Sequence, residues 1–121
     1  MGVAAIEACY LIPVEPSSKE LSPSELLTLA FNHATRNSIS TLKVFVLMRG
    51  SRFSEAVEQL RDGVSSNIRL GIRMFICRNH GELAKLVRKE GCSVLYVPGE
   101  YAEHGEELLK LLKGVTVKPF T

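Results

Sequence analysis

Apolar runs alternate with helical segments along the whole chain, and this alternation constrains the fold more than any other feature. Strand character is found at 4–14, 41–48, 72–77, 93–97 and 115–120. Helical character is found at 23–37, 52–62, 80–90 and 100–113. Strands that alternate with helices form parallel sheets through right-handed crossovers. The sequence therefore predicts an α/β fold, a three-layer α/β/α sandwich around a five-stranded, mainly parallel sheet.

The run at 41–48 is the clearest strand, because Val44, Phe45, Val46 and Leu47 are contiguous. A continuous apolar run is typical of a strand that is covered on both faces. Two strand orders, 3-2-1-4-5 and 2-1-3-4-5, are compatible with the alternation, and the sequence does not choose between them.

Two helix starts carry capping signals. Ser22 precedes Pro23 and stands three residues before Glu25, which is the pattern of a capping box with proline at the first helical position. Asn79 stands three residues before Glu82 in the same way. Both starts follow a predicted strand, so the polar residues around them lie near strand ends.

Composition indicates an ordinary globular protein with a single domain over residues 1–121. Hydrophobic residues make up 45% and charged residues 23% of the 121-residue chain. The net charge of +2 is too small to indicate a nucleic-acid or membrane partner by itself. No apolar run reaches the roughly 18 residues that a membrane span needs. The first ten residues have no basic region before their apolar run, so we expect no signal peptide.

The chain contains three cysteines, Cys9, Cys77 and Cys92, and none of them is spaced as a CxxC pair. An odd number without that spacing favours buried thiols over a disulfide framework or a zinc site. We therefore expect three reduced cysteines and a cytoplasmic protein.

Residues that could bind a ligand follow the predicted strands, because open parallel sheets bind ligands beyond the carboxyl ends of their strands. Arginine side chains and helix N-termini at such an edge can bind an anion. The candidate ligand-binding residues are Glu15, Ser17, Ser18, Arg49, Ser51, Arg78, Asn79 and Gly99. No histidine or cysteine spacing indicates a metal site. No pair of carboxylates, Walker loop or nucleophile motif indicates catalysis, so we name no catalytic residue and expect a protein that is not an enzyme.

Three stretches resemble the universal stress protein family. They are LIPVEPSSKELSPSELLTLAFNHATRNSISTLKVFVLM, ELAKLVRKEGCSVLYVPG and GVTVKPF, and together they extend over nearly the whole chain. The resemblance implies a Rossmann-like fold of the adenine-nucleotide alpha hydrolase-like type. It also implies a homodimer formed through the last strand, Val115 to Phe120, and ATP or AMP as the ligand.

The sequence departs from the family where nucleotide-binding members hold phosphate. The acid that contacts adenosine in those members corresponds to Glu15 here, and Pro16 follows it in place of glycine. Those members then carry a Gly-x2-Gly-x9-Gly-Ser/Thr loop after the fourth strand. This chain has Gly99 and Gly105 without a Gly-Ser pair downstream, and glutamates at the helix start would repel phosphate. Adenine-nucleotide binding is therefore expected to be weak or absent.

Three functions remain open at this point. The first is a non-catalytic regulatory or stress-response domain that contacts a protein partner. The second is RNA or other nucleic-acid binding through Arg49, Arg52, Arg69, Arg73 and Arg78, which the acidic last helix makes the weaker alternative. The third is an enzyme that acts on a phosphorylated or carboxylate small molecule, for which the sequence offers no nucleophile or base.

Overall fold

A computed structural model describes residues 6–14, 22–48, 54, 57, 58, 60, 61, 64, 70–104 and 106–121, without the side chains of 103 and 104. The strands are β1 (Glu7–Val14), β2 (Thr41–Met48), β3 (Gly71–Cys77), β4 (Val94–Val97) and β5 (Thr116–Pro119). The helices are α1 (Pro23–Arg36), α2 (His80–Lys89), α3 (Gly99–His104) and α4 (Glu106–Leu111).

The five strands form one parallel sheet in the order β3-β2-β1-β4-β5. This confirms the predicted α/β class and selects the first of the two strand orders. The chain moves outward from β1 through β2 to β3, and then returns to the other side of β1 for β4 and β5. The point where this direction reverses lies between β1 and β4, and it is the switch point at which such sheets bind ligands.

Apolar side chains cover both faces of the sheet. One core cluster contains Tyr10 of β1, Val44 of β2 and Phe31 of α1, and the other contains Leu11 of β1 and Leu83 of α2. Residues 42–48 are all buried, as the continuous apolar run predicts. Each fully buried Leu or Phe contributes about 1.5–3 kcal/mol relative to an exposed one. These two clusters make the fold a three-layer sandwich.

The remaining helix predictions are only partly covered by the described residues. Of the helix predicted at 52–62, the described members are helical, and Leu60 is buried in the α1 cluster. Of the helix predicted at 100–113, residues 100–104 lie in α3 and residues 106–111 in α4, whereas Leu112 and Lys113 lie in a turn after α4 and Gly105 lies outside the described residues. None of the helices in the described part of the chain is long and apolar enough to cross a membrane.

The ladder between β1 and β4, which we call the seam, is much shorter than the others. It joins two residue pairs, Cys9 with Leu95 and Tyr10 with Tyr96, whereas β1 and β2 pair over eight. Two prolines limit how far this ladder extends. The Ile6 carbonyl accepts a hydrogen bond from β2, and the backbone groups of successive strand residues point to opposite sides. The nitrogen of Pro13 therefore faces β4, and Pro98 directly follows β4. Neither proline has an N–H to continue the ladder towards the carboxyl ends.

A disulfide bond between Cys9 and Cys92 crosses the seam, with 6.3 Å between the two Cα atoms. The prediction of three reduced cysteines was therefore wrong for this pair. The reason is the strand order: because β4 lies beside β1, two cysteines 83 residues apart in sequence become neighbours. Cys77 is the remaining thiol and is fully buried at the end of β3, as predicted for a core residue.

Candidate functional site

The predicted ligand residues are only partly covered by the structure. Arg78, Asn79 and Gly99 lie at the carboxyl edge of the sheet, after β3 and β4. The other five candidates, Glu15, Ser17, Ser18, Arg49 and Ser51, lie outside the described residues. The three described candidates each make their own contacts at this edge.

Asn79 is the N-cap of α2. Its side-chain oxygen accepts a hydrogen bond from the backbone N–H of Glu82 at 2.9 Å. The Glu82 carboxylate accepts in turn from the backbone N–H of Arg78 at 2.7 Å. These reciprocal bonds satisfy donors at the helix start, which is the structural role that the Asn-Glu spacing indicates. Asn79 thus has a partner within its own helix, and the Arg78 side chain is exposed.

His80 and Cys77 flank this cap. The His80 side chain is 13% exposed, its Nδ1 lies 3.7 Å from a Glu107 carboxylate oxygen, and its buried Nε2 has no hydrogen-bond partner in the described part of the chain. Burial, with a smaller contribution from Glu82, raises the pKa of the Cys77 thiol to about 11. Cys77 is therefore a protonated core thiol at neutral pH, and a thiol in this form is a poor nucleophile.

Gly99 begins α3 and is held by the end of the chain's last strand. Its backbone N–H donates to the Thr121 hydroxyl at 2.7 Å. A Cβ atom at position 99 would lie 3.1 Å from the Thr121 carbonyl oxygen, so the two backbones are in close approach. The N–H of Phe120 donates to the Val97 carbonyl at 2.9 Å and fixes Thr121 over this position. The first backbone donor of this helix therefore already has a partner.

An aromatic cluster lies beneath Thr121, on the α1 face. Tyr10 contacts Phe120 edge-on at a centroid distance of 5.5 Å and stacks on Tyr96 at 5.2 Å. The Tyr10 hydroxyl lies 2.7 Å from Nδ1 of His33. Burial, and to a smaller extent Tyr96, raises the pKa of Tyr10, so its hydroxyl stays protonated at neutral pH. The cluster joins β1, β4, α1 and the C-terminal strand.

We expect the protein to lose stability as the pH falls from about 7 to 5, with His33 contributing to the loss. Burial, and then the neighbouring Arg36, lowers the pKa of His33, so the unfolded chain binds a proton at this histidine before the folded chain does. One such group changes the free energy of unfolding by at most about 1.4 kcal/mol per pH unit. Urea unfolding should show a shallower pH slope in His33→Gln than in the native protein. Equal slopes would contradict this.

A cleft of about 410 Å³ opens at the opposite, amino-terminal end of the seam. Residues from the starts of β1 and β4 and from the ends of α1 and α2 line it, among them Cys9, Lys43, Glu90 and Cys92. It lies where β1 and β4 separate below their short ladder. Sequence reasoning placed candidates only at the carboxyl edge and missed this cleft.

Lys43 is the buried charge of the cleft, with a side chain that is 11% exposed. Its ammonium group lies 3.3 Å from the Glu7 carboxylate and 3.7 Å from that of Glu90, and it donates to the Glu90 carbonyl at 3.1 Å. Arg73 reaches the same Glu90 carboxylate at 3.6 Å and lies over the Phe75 ring. Two cations and two carboxylates thus form one network across β1, β2, β3 and the end of α2. No group of three or more histidine, cysteine, aspartate or glutamate side chains in the described residues could hold a metal ion.

The fold and its edge geometry define a doubly wound, Rossmann-like α/β domain. No family model matches the sequence, and no curated protein matches it. Two solved structures are similar in fold. A hypothetical protein from Sulfolobus tokodaii has a TM-score of 0.67 at 15% identity, with 94% of each chain covered. A protein of the universal stress protein family from Burkholderia pseudomallei has a TM-score of 0.54 at 17% identity, covering 93% of this chain and 94% of that one. These likenesses support a universal-stress-protein-like domain at the level of the fold.

Proposed function

We propose that this protein is a non-catalytic, universal-stress-protein-like regulatory domain that binds adenine nucleotides weakly or not at all and acts through a protein partner. The fold likeness supports the class of domain. The hydrogen bond from the Gly99 N–H to Thr121 supports the loss of nucleotide binding, and it is the observation that carries the proposal.

The connection after β4 supports the same conclusion. β4 ends at Val97 and α3 begins at Gly99, so Pro98 alone connects them. The carbonyl of Pro98 accepts from Tyr101 at 2.9 Å and from Ala102 at 3.2 Å, and these bonds start the helix at once. A loop that wraps phosphate needs several free backbone N–H groups. One proline supplies none.

A calorimetric titration with ATP and AMP tests the proposal. We expect no saturable binding with a Kd below about 1 mM, equivalent to about −4 kcal/mol. Thr121→Val removes the hydroxyl that accepts from the Gly99 N–H while keeping the side-chain shape. Comparing it with the native protein tests whether this hydrogen bond prevents nucleotide binding. Saturable binding by the native protein at micromolar Kd would contradict the proposal, and loss of that binding in Glu15→Ala would make Glu15 the ligand acid.

We also propose a homodimer through the outer edge of β5. β5 is an edge strand of the sheet. Thr116 and Phe120 donate their N–H groups inward to β4, so by alternation Val117 and Pro119 point outward. Pro119 has no N–H, which leaves Val117 as the outward donor within the strand. A symmetric pair would therefore be centred on Val117.

Val117→Pro is expected to convert the dimer to a monomer, because it removes that outward N–H without removing an inward one. Val117→Thr keeps the N–H and should stay dimeric. Sedimentation equilibrium at micromolar concentration distinguishes the two. A native protein that sediments as a monomer, or a Val117→Pro protein that remains a dimer, would contradict this interface.

The alternative of RNA binding gains no support from Arg73. Its guanidinium group is engaged with Glu90 and Phe75, and it lies near the middle of β3 rather than beside Arg78 at the strand's end. Arg49, Arg52 and Arg69 lie outside the described residues.

A further inference from the structure

We propose that Cys9 and Cys92 form a reversible redox site that exchanges with a low-molecular-weight thiol of the glutathione class, admitted through the cleft at the amino-terminal end of the seam. This goes beyond the proposed regulatory function and is independent of nucleotide binding. Three observations support it: the greater exposure of Cys92, a lysine that is the register partner of Cys9, and a location where the sheet is weakly paired.

Access favours attack on Cys92. Both cysteines line the cleft of about 410 Å³, but Cys92 is half-buried whereas Cys9 is 5% exposed. Cys92 also lies outside β4, after the left-handed Gly91 (φ +72°) that follows the end of α2. An attacking thiolate must approach along the sulfur–sulfur axis, so the more open sulfur receives it. The cleft therefore directs the incoming thiol to Cys92 and makes Cys9 the leaving group.

Lys43 favours that leaving group. Cys9 and Lys43 are register partners on neighbouring strands, so their side chains leave the same face of the sheet side by side. A cation beside a cysteine stabilises the thiolate, and a thiolate that is more stable leaves faster. Glu7 and Glu90 face Lys43 and offset part of its charge, and Arg73 pairs with Glu90. The balance of positive and negative charge in this network therefore sets how readily the Cys9 thiolate leaves.

The exchange conserves atoms and electrons. A glutathione thiolate attacks the Cys92 sulfur, the Cys9–Cys92 bond breaks, and Cys9 leaves as a thiolate that takes up a proton. A second glutathione thiolate then attacks the mixed disulfide at its glutathione sulfur, and Cys92 leaves as a thiolate that takes up a proton. The protein disulfide gains two electrons and two protons, and two glutathione molecules become one glutathione disulfide. The seam is the shortest ladder of the sheet, with only two residue pairs, and reduction removes the covalent link across it.

The test incubates the folded, oxidised protein with glutathione, quenches with acid, and locates free and glutathione-bound cysteines by peptide mass spectrometry. We expect reduction while far-UV circular dichroism shows native structure, and a transient glutathione adduct on Cys92. Cys77 is the internal control, because a fully buried thiol should stay unlabelled by alkylating reagents in the native protein. Cys9→Ser cannot close the disulfide and should accumulate the Cys92 adduct when given glutathione disulfide.

Two charge variants test the role of the network in opposite directions. Glu7→Gln removes an exposed carboxylate and should accelerate exchange, whereas Lys43→Met should slow it, each by about threefold to tenfold. If Lys43→Met does not fold, Glu7→Gln and Lys43→Arg still provide the comparison, with Lys43→Arg close to the native rate. The proposal is overturned if free thiols appear only at the rate of global unfolding, if the adduct forms on Cys9, or if the rates do not follow the charge.

Discussion

Replacing both Cys9 and Cys92 with alanine is expected to lower the free energy of unfolding by about 4 kcal/mol. The bond joins residues 83 positions apart. Closing a loop of this length removes chain entropy from the unfolded state, and that loss corresponds to about 4.5 kcal/mol in the chain-entropy model. Small domains have only about 5–15 kcal/mol of stability in total, so the variant should remain folded at 25 °C with a much smaller margin of stability.

Urea unfolding of the oxidised native protein and of the double variant measures this difference. Native protein reduced with a phosphine, which adds no thiol, should come within about 1 kcal/mol of the double variant, because both lack the same constraint and the variant also loses the buried sulfur of Cys9. Cys77→Ala is the control for losing a sulfur without losing a cross-link. It truncates one buried side chain and should cost about 1 kcal/mol. A difference below 1 kcal/mol between oxidised and reduced protein would contradict the prediction.

Phe120→Ala is expected to cost about 3–4 kcal/mol, because it removes a large buried side chain next to the last strand. Phe120 is 7% exposed and contacts the ring of Tyr10. Its backbone also holds Thr121 over Gly99, so the substitution should loosen that contact as well. Stability is measured by urea unfolding, and the environment of the Gly99 amide by the nitrogen–proton NMR spectrum.

Phe120→Leu is the matched control, since it keeps an apolar side chain and should retain most of the stability. The Gly99 resonance should move in Phe120→Ala and stay near its native position in Phe120→Leu. An unchanged Gly99 resonance in both variants, with Phe120→Ala clearly destabilised, would show that the packing of Phe120 does not position Thr121.

The sequence predicted the architecture well because hydrophobic patterns and helix caps depend on residues that are close together in the chain. The continuous run of β2 and the Asn79 cap each depend on a few neighbouring residues, and both are found where the pattern placed them. Contacts between distant segments were harder to predict. The Cys9–Cys92 bond and the Gly99–Thr121 contact both depend on β4 lying next to β1 and β5, and local periodicity does not determine strand order.

The candidate site was only partly predictable for the same reason. The carboxyl edge could be inferred from the fold class, but the contact that occupies Gly99 comes from Thr121, which follows the carboxyl end of the neighbouring strand β5. One signal was available and went unused. Pro13 and Pro98 stand at the ends of the two central strands, and a proline at a pairing position shortens a ladder. Combined with the strand order, this spacing would have predicted the seam.

The seam also bears on the order of events during synthesis. β1, β2 and β3 are joined to one another by fifteen register pairs, eight and seven in the two ladders, and all three strands are complete by Cys77. Synthesis proceeds from the N-terminus, so these three strands are made before Cys92. The seam can form only later, once β4 has been added to the chain and lies beside β1. A closed Cys9–Cys92 bond is thus a record that docking has taken place.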